Sequence, residues 1–162
     1  MDWFDIKAPI ERHVMVDLPP KARKHYDEMQ RELFTWVNEN DVEAFGAGSK
    51  SQKCLQIANG AVWVDRSEHH WERVHDEKLD ALKSIVEETN GEPLLVSYLS
   101  VPDKERILKA FPQATTLEKD SARKEQLFRD GKIPMLVVHP ASAGHGLDLQ
   151  HSCRTLVDFS SG

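Results

Sequence analysis

Cysteine is scarce in this chain: of 162 residues only Cys54 and Cys153 are thiols, far apart and with no CxxC spacing. That excludes a disulfide framework and a structural zinc knuckle, and leaves reduced, packed thiols. Long apolar runs are also missing, so nothing approaches the roughly 18 residues needed to cross a bilayer. The opening stretch MDWFDIKAPIERH has neither the apolar segment nor the cleavage pattern of a signal peptide. The expected location is therefore the cytoplasm, with no membrane partner. Positive charge is not in excess, with Lys and Arg numbering 21 against 27 Asp and Glu for a net −6. Coating nucleic acid by bulk attraction is thereby excluded, because that attraction scales with the phosphates that Lys and Arg neutralise. A local patch is still open, since from Lys104 to Lys132 bases outnumber acids, but mixed charge of this kind usually marks a solvated surface.

Several catalytic signatures are absent as well. The eight histidines include His69-His70 and His75, and also His139, His145 and His151, yet no HExxH occurs and no paired cysteines accompany them. Neither a metal site nor a catalytic residue is assigned. Ser142 near His139 or His145 lacks the GxSxG of a nucleophile elbow. Gly46-Ala47-Gly48-Ser49-Lys50-Ser51 resembles a phosphate loop only superficially, because serine rather than glycine precedes Lys50 and no apolar strand leads in. No DExx acids follow a buried strand to hold Mg²⁺, so the half of an NTPase that grips a triphosphate is not in this sequence.

What is present is a series of apolar patterns long enough for one core. Val14 and Val16 alternate with polar neighbours and predict a short strand ended by Pro19-Pro20. Ala22, Tyr26, Met29, Leu33 and Val37 then recur at helical steps. From Asn38 to Ser51 the pattern lapses, predicting a mobile connection before a short helix near Gln52 to Ala58. Val62-Trp63-Val64 suits a brief strand, and Asp65 to Glu72 reads as an irregular linker.

From about residue 75 the chain becomes regular. Leu79, Leu82, Ile85 and Val86 mark a helix closed by Asn90-Gly91, where glycine can turn left-handed. Pro93 to Tyr98 is a buried strand, Val101 to Phe111 a helix, Ala114 to Leu117 a short strand, Ser121 to Asp130 a helix. Pro134 to Val138 and Thr155 to Phe159 are the last two strands. Non-alternating apolar strands separated by helices predict an α/β fold, a parallel sheet flanked by helices, over residues 75–162. Residues 1–74 form a partly helical N-terminal extension.

Loops at the carboxyl ends of such strands hold ligands. The segment MLVVHPASAGHGLDL places small residues there: Gly144 and Gly146 permit close backbone approach to a phosphate or sugar, Ser142 offers a hydroxyl, and Asp148 could accept from a ribose. The same residues suit an ordinary tight strand-to-helix turn with Asp148 as a local cap. A GxG lacking its third glycine does not diagnose a dinucleotide site.

In the order of its elements, the stretch from His75 to Gly162 resembles the second RecA-like lobe of superfamily-two helicases, particularly Swi/Snf-like translocases. DEKLDALKSIVEE looks like the family's lead-in helix and EPLLVSYLS like helicase motif IV. The run TTLEKDSARKEQLFRDGKIPMLVVHPASAGHGLDLQHSCRTLVDFSSG resembles its strand, helix, strand, motif V and closing strand. More faintly, VMVDLPPKARKHYDEMQRELF and KCLQIANG resemble the segment through which such proteins lead into this lobe. The resemblance implies a RecA-like, P-loop NTPase second-lobe fold in an ATP-dependent DNA helicase or translocase, inactive alone. It implies that Gly144, Gly146 and Asp148 meet nucleotide at the cleft between lobes. Ser142, Ser97, Tyr98 and Ser100 would touch a nucleic-acid backbone, DNA or RNA, through hydroxyls and main-chain amides. ATP and Mg would bind only with the missing first lobe as partner. Motif VI and its arginines would lie just beyond the closing strand, and the sequence stops at Gly162, so the expectation is a fragment of a longer helicase or a lobe whose partner is a separate chain. The alternative is a non-catalytic α/β interaction or nucleotide-binding module, because fold alone does not settle function.

Overall fold

A computed structural model describes residues 13–39, 44–141 and 155–160. The expected motif V residues Ser142, Gly144, Gly146 and Asp148 lie outside the described residues. In chain order the elements are α1 (Pro20–Glu39), α2 (Ala44–Asn59), β1 (Ala61–Asp65), β2 (His70–Arg73), α3 (Glu77–Thr89), β3 (Leu94–Ser97), α4 (Val101–Ala110), β4 (Ala114–Thr116), α5 (Ser121–Arg129), β5 (Met135–Val138) and β6 (Thr155–Asp158).

Four strands form one sheet in the order β4-β5-β3-β6, every neighbouring pair parallel. Leu94 lies in register between Met135 and Thr155, and Ser97 between Val138 and Asp158. Side chains that alternate along a strand must fill both faces, which is why β3 and β5 carry unbroken apolar runs. On one face Leu94, Val96, Met135 and Val137 pack with Leu82 of α3 and Ile107 of α4. On the other, Leu95, Leu136 and Val138 meet Phe128 of α5 and Ile133. Helices of nine or ten residues such as α5 and α4 are too short to persist alone, so this packing holds them. Burying a side chain as fully as Phe128 or Leu136 contributes about 1.5–3 kcal/mol each. The α/β class and the parallel sheet flanked by helices are as the apolar pattern predicts.

The extension departs from its predicted form in three places. Residues 13–19 are not a strand; Val14 and Met15 stand exposed, with no neighbouring strand among the described residues to give their alternation a covered face. The helix predicted near 52–58 begins at Ala44, and α1 reaches Glu39, so much of the expected loose connection is helical. Gly46 and Gly48 each cost about 1 kcal/mol there, offset by the packing of α2 against α1. The expected linker at 65–72 is half of a hairpin: β2 pairs antiparallel with β1, Trp71 opposite Trp63. Asp65 Oδ1 turns the chain between them by accepting from the Ser67 and Glu68 amides.

Helix α3 closes as expected at Asn90-Gly91, though Asn90 also takes a left-handed conformation, at φ 50°, before Gly91 at φ 87°. Asparagine tolerates that region because its short amide can bond locally. No helix among the described residues is long and apolar enough to cross a membrane.

Candidate functional site

Strand order determines where a ligand can approach this sheet. The chain leaves β3 toward β4, then passes from β5 back beyond β3 to β6, so connections from the adjacent strands β3 and β5 run in opposite directions. In open α/β sheets the crevice at such a reversal, outside the carboxyl ends of the strands, is where ligands sit. Here it lies between residues 97–100, after β3, and residues 139–141, after β5.

Each expected residue in this crevice has a definite setting. Ser97, the last residue of β3, donates its hydroxyl to Asp158 Oδ1 of β6 at 3.2 Å. Tyr98 is buried in the core, its ring meeting His139 edge-on with centroids 5.5 Å apart, and its amide donates to Val138 O. The ring is therefore not free to stack on a base, and burial pushes its hydroxyl pKa up. Leu99 is exposed at the rim, and its amide donates to Ser160 Oγ at 3.0 Å. Ser100 stands at the N-cap of α4 but makes no side-chain capping bond, which leaves its hydroxyl at a helix N-terminus beside backbone amides. The structure thus brings Ser97, Tyr98 and Ser100 to one edge, next to the residue at which the chain heads into 142–148.

Charge is divided along this edge. On the β6 side stands the Asp158 carboxylate, which repels phosphate and suits hydroxyl donors. Near the β5 side lies Lys104, its ammonium 6.0 Å from the Tyr98 ring and ion-paired with Glu118. The hydrogen bond to Glu118 holds the Lys104 pKa up, and the same bond holds the Glu118 carboxyl below its usual range. Among the described residues no cluster of His, Cys, Asp and Glu could hold a metal ion.

Sequence reasoning missed the residues that hold this edge in shape. The run Asp103-Lys104-Glu105-Arg106 on α4 reads as solvated charge, yet Asp103 and Arg106 are buried and the four side chains fan out to four parts of the molecule. Asp103 Oδ2 accepts from Ser160 Oγ at 2.8 Å. Lys104 reaches Glu118 after β4. Glu105 accepts from Trp71 Nε1 and pairs with His69, fastening the hairpin to α4. Arg106 donates to Asn59 O at 3.0 Å, His75 O at 2.7 Å and Asp76 Oδ1 at 3.2 Å, and so clasps the α2–β1 junction. Gly60 makes the clasp possible: at φ 111° it holds a conformation other residues resist, and a Cβ there would lie 2.3 Å from His75 O and within 2.9 Å of both guanidinium nitrogens.

His75 and Asn59 complete the buried cluster. His75 Nδ1 accepts from the Glu77 amide, so Nε2 carries the proton and donates to Ile57 O at 2.7 Å. Desolvation pushes the His75 pKa down, and the Arg106 charge adds to this. Asn59 Nδ2 donates to Ser160 O at 3.1 Å while its Oδ1 accepts from Lys78. The one signal in the sequence was Asn59-Gly60, a dipeptide that ends a helical pattern and begins a strand.

A groove of about 710 Å³ lies elsewhere, between α1, α2 and the hairpin, lined by Met29, Lys53, Gln56, Trp63 and Arg66. Its cations are already engaged, Lys53 with Trp63 O and Arg66 over the Trp63 ring. It shares no residue with the carboxyl edge, and the strand reversal outweighs its size.

No family model matches this chain. It is similar to protein p41 of Acyrthosiphon pisum secondary endosymbiont phage 1, with 48% identity over 159 residues covering 98% of this chain and 34% of p41. The chain therefore spans about a third of the length of that curated relative. Among solved structures it is similar to the Pyrococcus furiosus Hef helicase domain, at 11% identity and a TM-score of 0.38, over 85% of this chain and 35% of that one.

Proposed function

We propose that this chain is the second motor lobe of an ATP-dependent DNA helicase or translocase of the Swi/Snf-like kind, acting in the cytoplasm and inactive by itself. The observation that carries the reading is the strand reversal. It puts the motif IV-like residues 97–100 and the start of the motif V-like segment, 139–141, at one crevice on the carboxyl edge. In that arrangement Ser97, Ser100 and Ser142 face a DNA or RNA backbone, with Tyr98 contributing main chain rather than its ring. Gly144, Gly146 and Asp148 face nucleotide held against a first RecA-like lobe, which supplies the Walker loop and acids for ATP and Mg. The lobes close as ATP binds and reopen after hydrolysis, alternating grip on the strand. The two thirds of p41 outside the matched region are long enough to hold such a lobe.

A second reading, a non-catalytic nucleotide-binding module, is favoured by one feature, the Asp158 carboxylate beside Ser97, which suits sugar hydroxyls better than phosphate. Titration with labelled single-stranded DNA at low and high salt separates the two. The motor-lobe reading expects weak binding that falls steeply with salt and no ATP turnover by the chain alone. Salt-insensitive binding of a free nucleotide without DNA affinity would favour the module. Steady DNA-stimulated hydrolysis by the pure chain would contradict the motor-lobe reading outright.

A further inference from the structure

The loop after β3 is not shaped by its own residues. Its Leu99 amide is satisfied by Ser160 Oγ, a side chain with no solvent exposure just past the carboxyl end of β6. Ser160 in turn is oriented from two directions: its hydroxyl donates to Asp103 of α4, and its carbonyl accepts from Asn59 at the end of α2. Asp103 lies 3.7 Å from the Arg106 guanidinium, the same group that binds Asn59 O and His75 O around Gly60. A continuous buried path therefore runs from the α2–β1 junction to the rim loop, through groups that are each costly to leave unpaired.

The neighbouring amide is held independently. Tyr98 N donates to Val138 O of β5, within the sheet and outside this path. Two successive amides at the rim thus report on different things: Tyr98 on the sheet, Leu99 on the junction.

We infer that Asp103, Ser160 and Asn59 form a positioning relay by which the seating of the Asn59-Gly60 junction sets the shape of the rim loop 97–100. A segment that pulls on α1 or α2 loosens the loop, and a ligand that tightens the loop firms the junction, because coupling of this kind is reciprocal. Its meaning for strand binding rests on the motor-lobe reading; the coupling itself does not.

Amide hydrogen exchange on the full chain tests it. Asn59→Ala, far from the loop, is expected to speed Leu99 exchange by about tenfold while Tyr98 and the Val96 and Val137 amides keep their rates. Ser160→Ala, which removes the acceptor itself, sets the upper limit of the Leu99 effect, and Asn59→Ser tests partial rescue if the alanine variant folds poorly. Faster exchange of Leu99 and Tyr98 together, or no change at Leu99 in a folded Asn59→Ala chain, would overturn the relay. Oligonucleotide titration of the unaltered chain runs alongside: absence of binding there removes the motor-lobe reading and leaves the exchange result to judge the relay.

Discussion

At Leu136 and Phe128 the chain is hidden from solvent among apolar side chains, whereas at Asn59, Asp103 and Arg106 it is almost as hidden but held by hydrogen bonds and charge. The difference lies in what each region tolerates. An apolar core loses stability in proportion to area and cavity, and accepts another side chain of similar volume. A buried polar cluster fails when one member is removed, because its partners stay behind unpaired. The sheet is covered by apolar side chains on both faces, and the junction fixes a particular geometry between the end of α2 and the carboxyl edge.

The largest effect expected from breaking this contrast is at Arg106. Arg106→Met leaves two carbonyls and Asp76 short of a donor and removes the cation beside buried Asp103, and should cost about 3–5 kcal/mol in denaturant unfolding. Gly60→Ala comes next, about 3 kcal/mol, because both the positive φ and the approach of His75 O must be relieved. Leu136→Met, in an equally buried place, should cost less than about 1.5 kcal/mol by the same measurement. A loss at Leu136 equal to that at Arg106 would erase the distinction.

The smallest effect is pH dependence. His75 titrates lower in the fold than its unfolded value of about 6.5, so the folded chain binds fewer protons there. Its contribution is complete above about pH 6.5 and is lost as pH falls toward the folded value. Melting temperature should therefore drop between about pH 7 and about pH 5, and His75→Gln, which keeps a donor for Ile57 O, should flatten that slope. A separate loss follows at lower pH. Burial alone would raise the Asp76 pKa, but hydrogen bonds from Arg73 and Arg106 outweigh it and hold it below the usual range of about 4.

The same contrast explains what was legible in the residues. An unbroken apolar run such as MLVV, too short for a helix and set between Pro134 and Pro140, suits a strand covered on both faces, so β3, β5 and the helices between them followed from pattern. The strand β2 did not, because HWER has no apolar face; it is a strand because β1 offers an edge and Glu105 anchors Trp71. The start of α2 was obscured by Gly46 and Gly48, whose low propensity is overridden by packing. At the rim, Ser97, Tyr98 and Ser100 were singled out only by resemblance to motif IV, and the strand order places them on the edge that also carries His139. Asp103, Arg106 and Ser160 were not found, since charged and hydroxyl residues carry no periodic signal when they are buried in pairs.

The proposed motor-lobe role requires the carboxyl edge to be the surface that meets nucleic acid. Amide shift mapping of the full chain during titration with a short single-stranded oligonucleotide measures that directly. Perturbations concentrated at residues 97–100 and 139–148, with α1 and the β1–β2 hairpin unmoved, are the predicted result. Binding that instead shifts Trp63, Arg66 and their neighbours in the groove, and leaves the carboxyl edge unchanged, would contradict it.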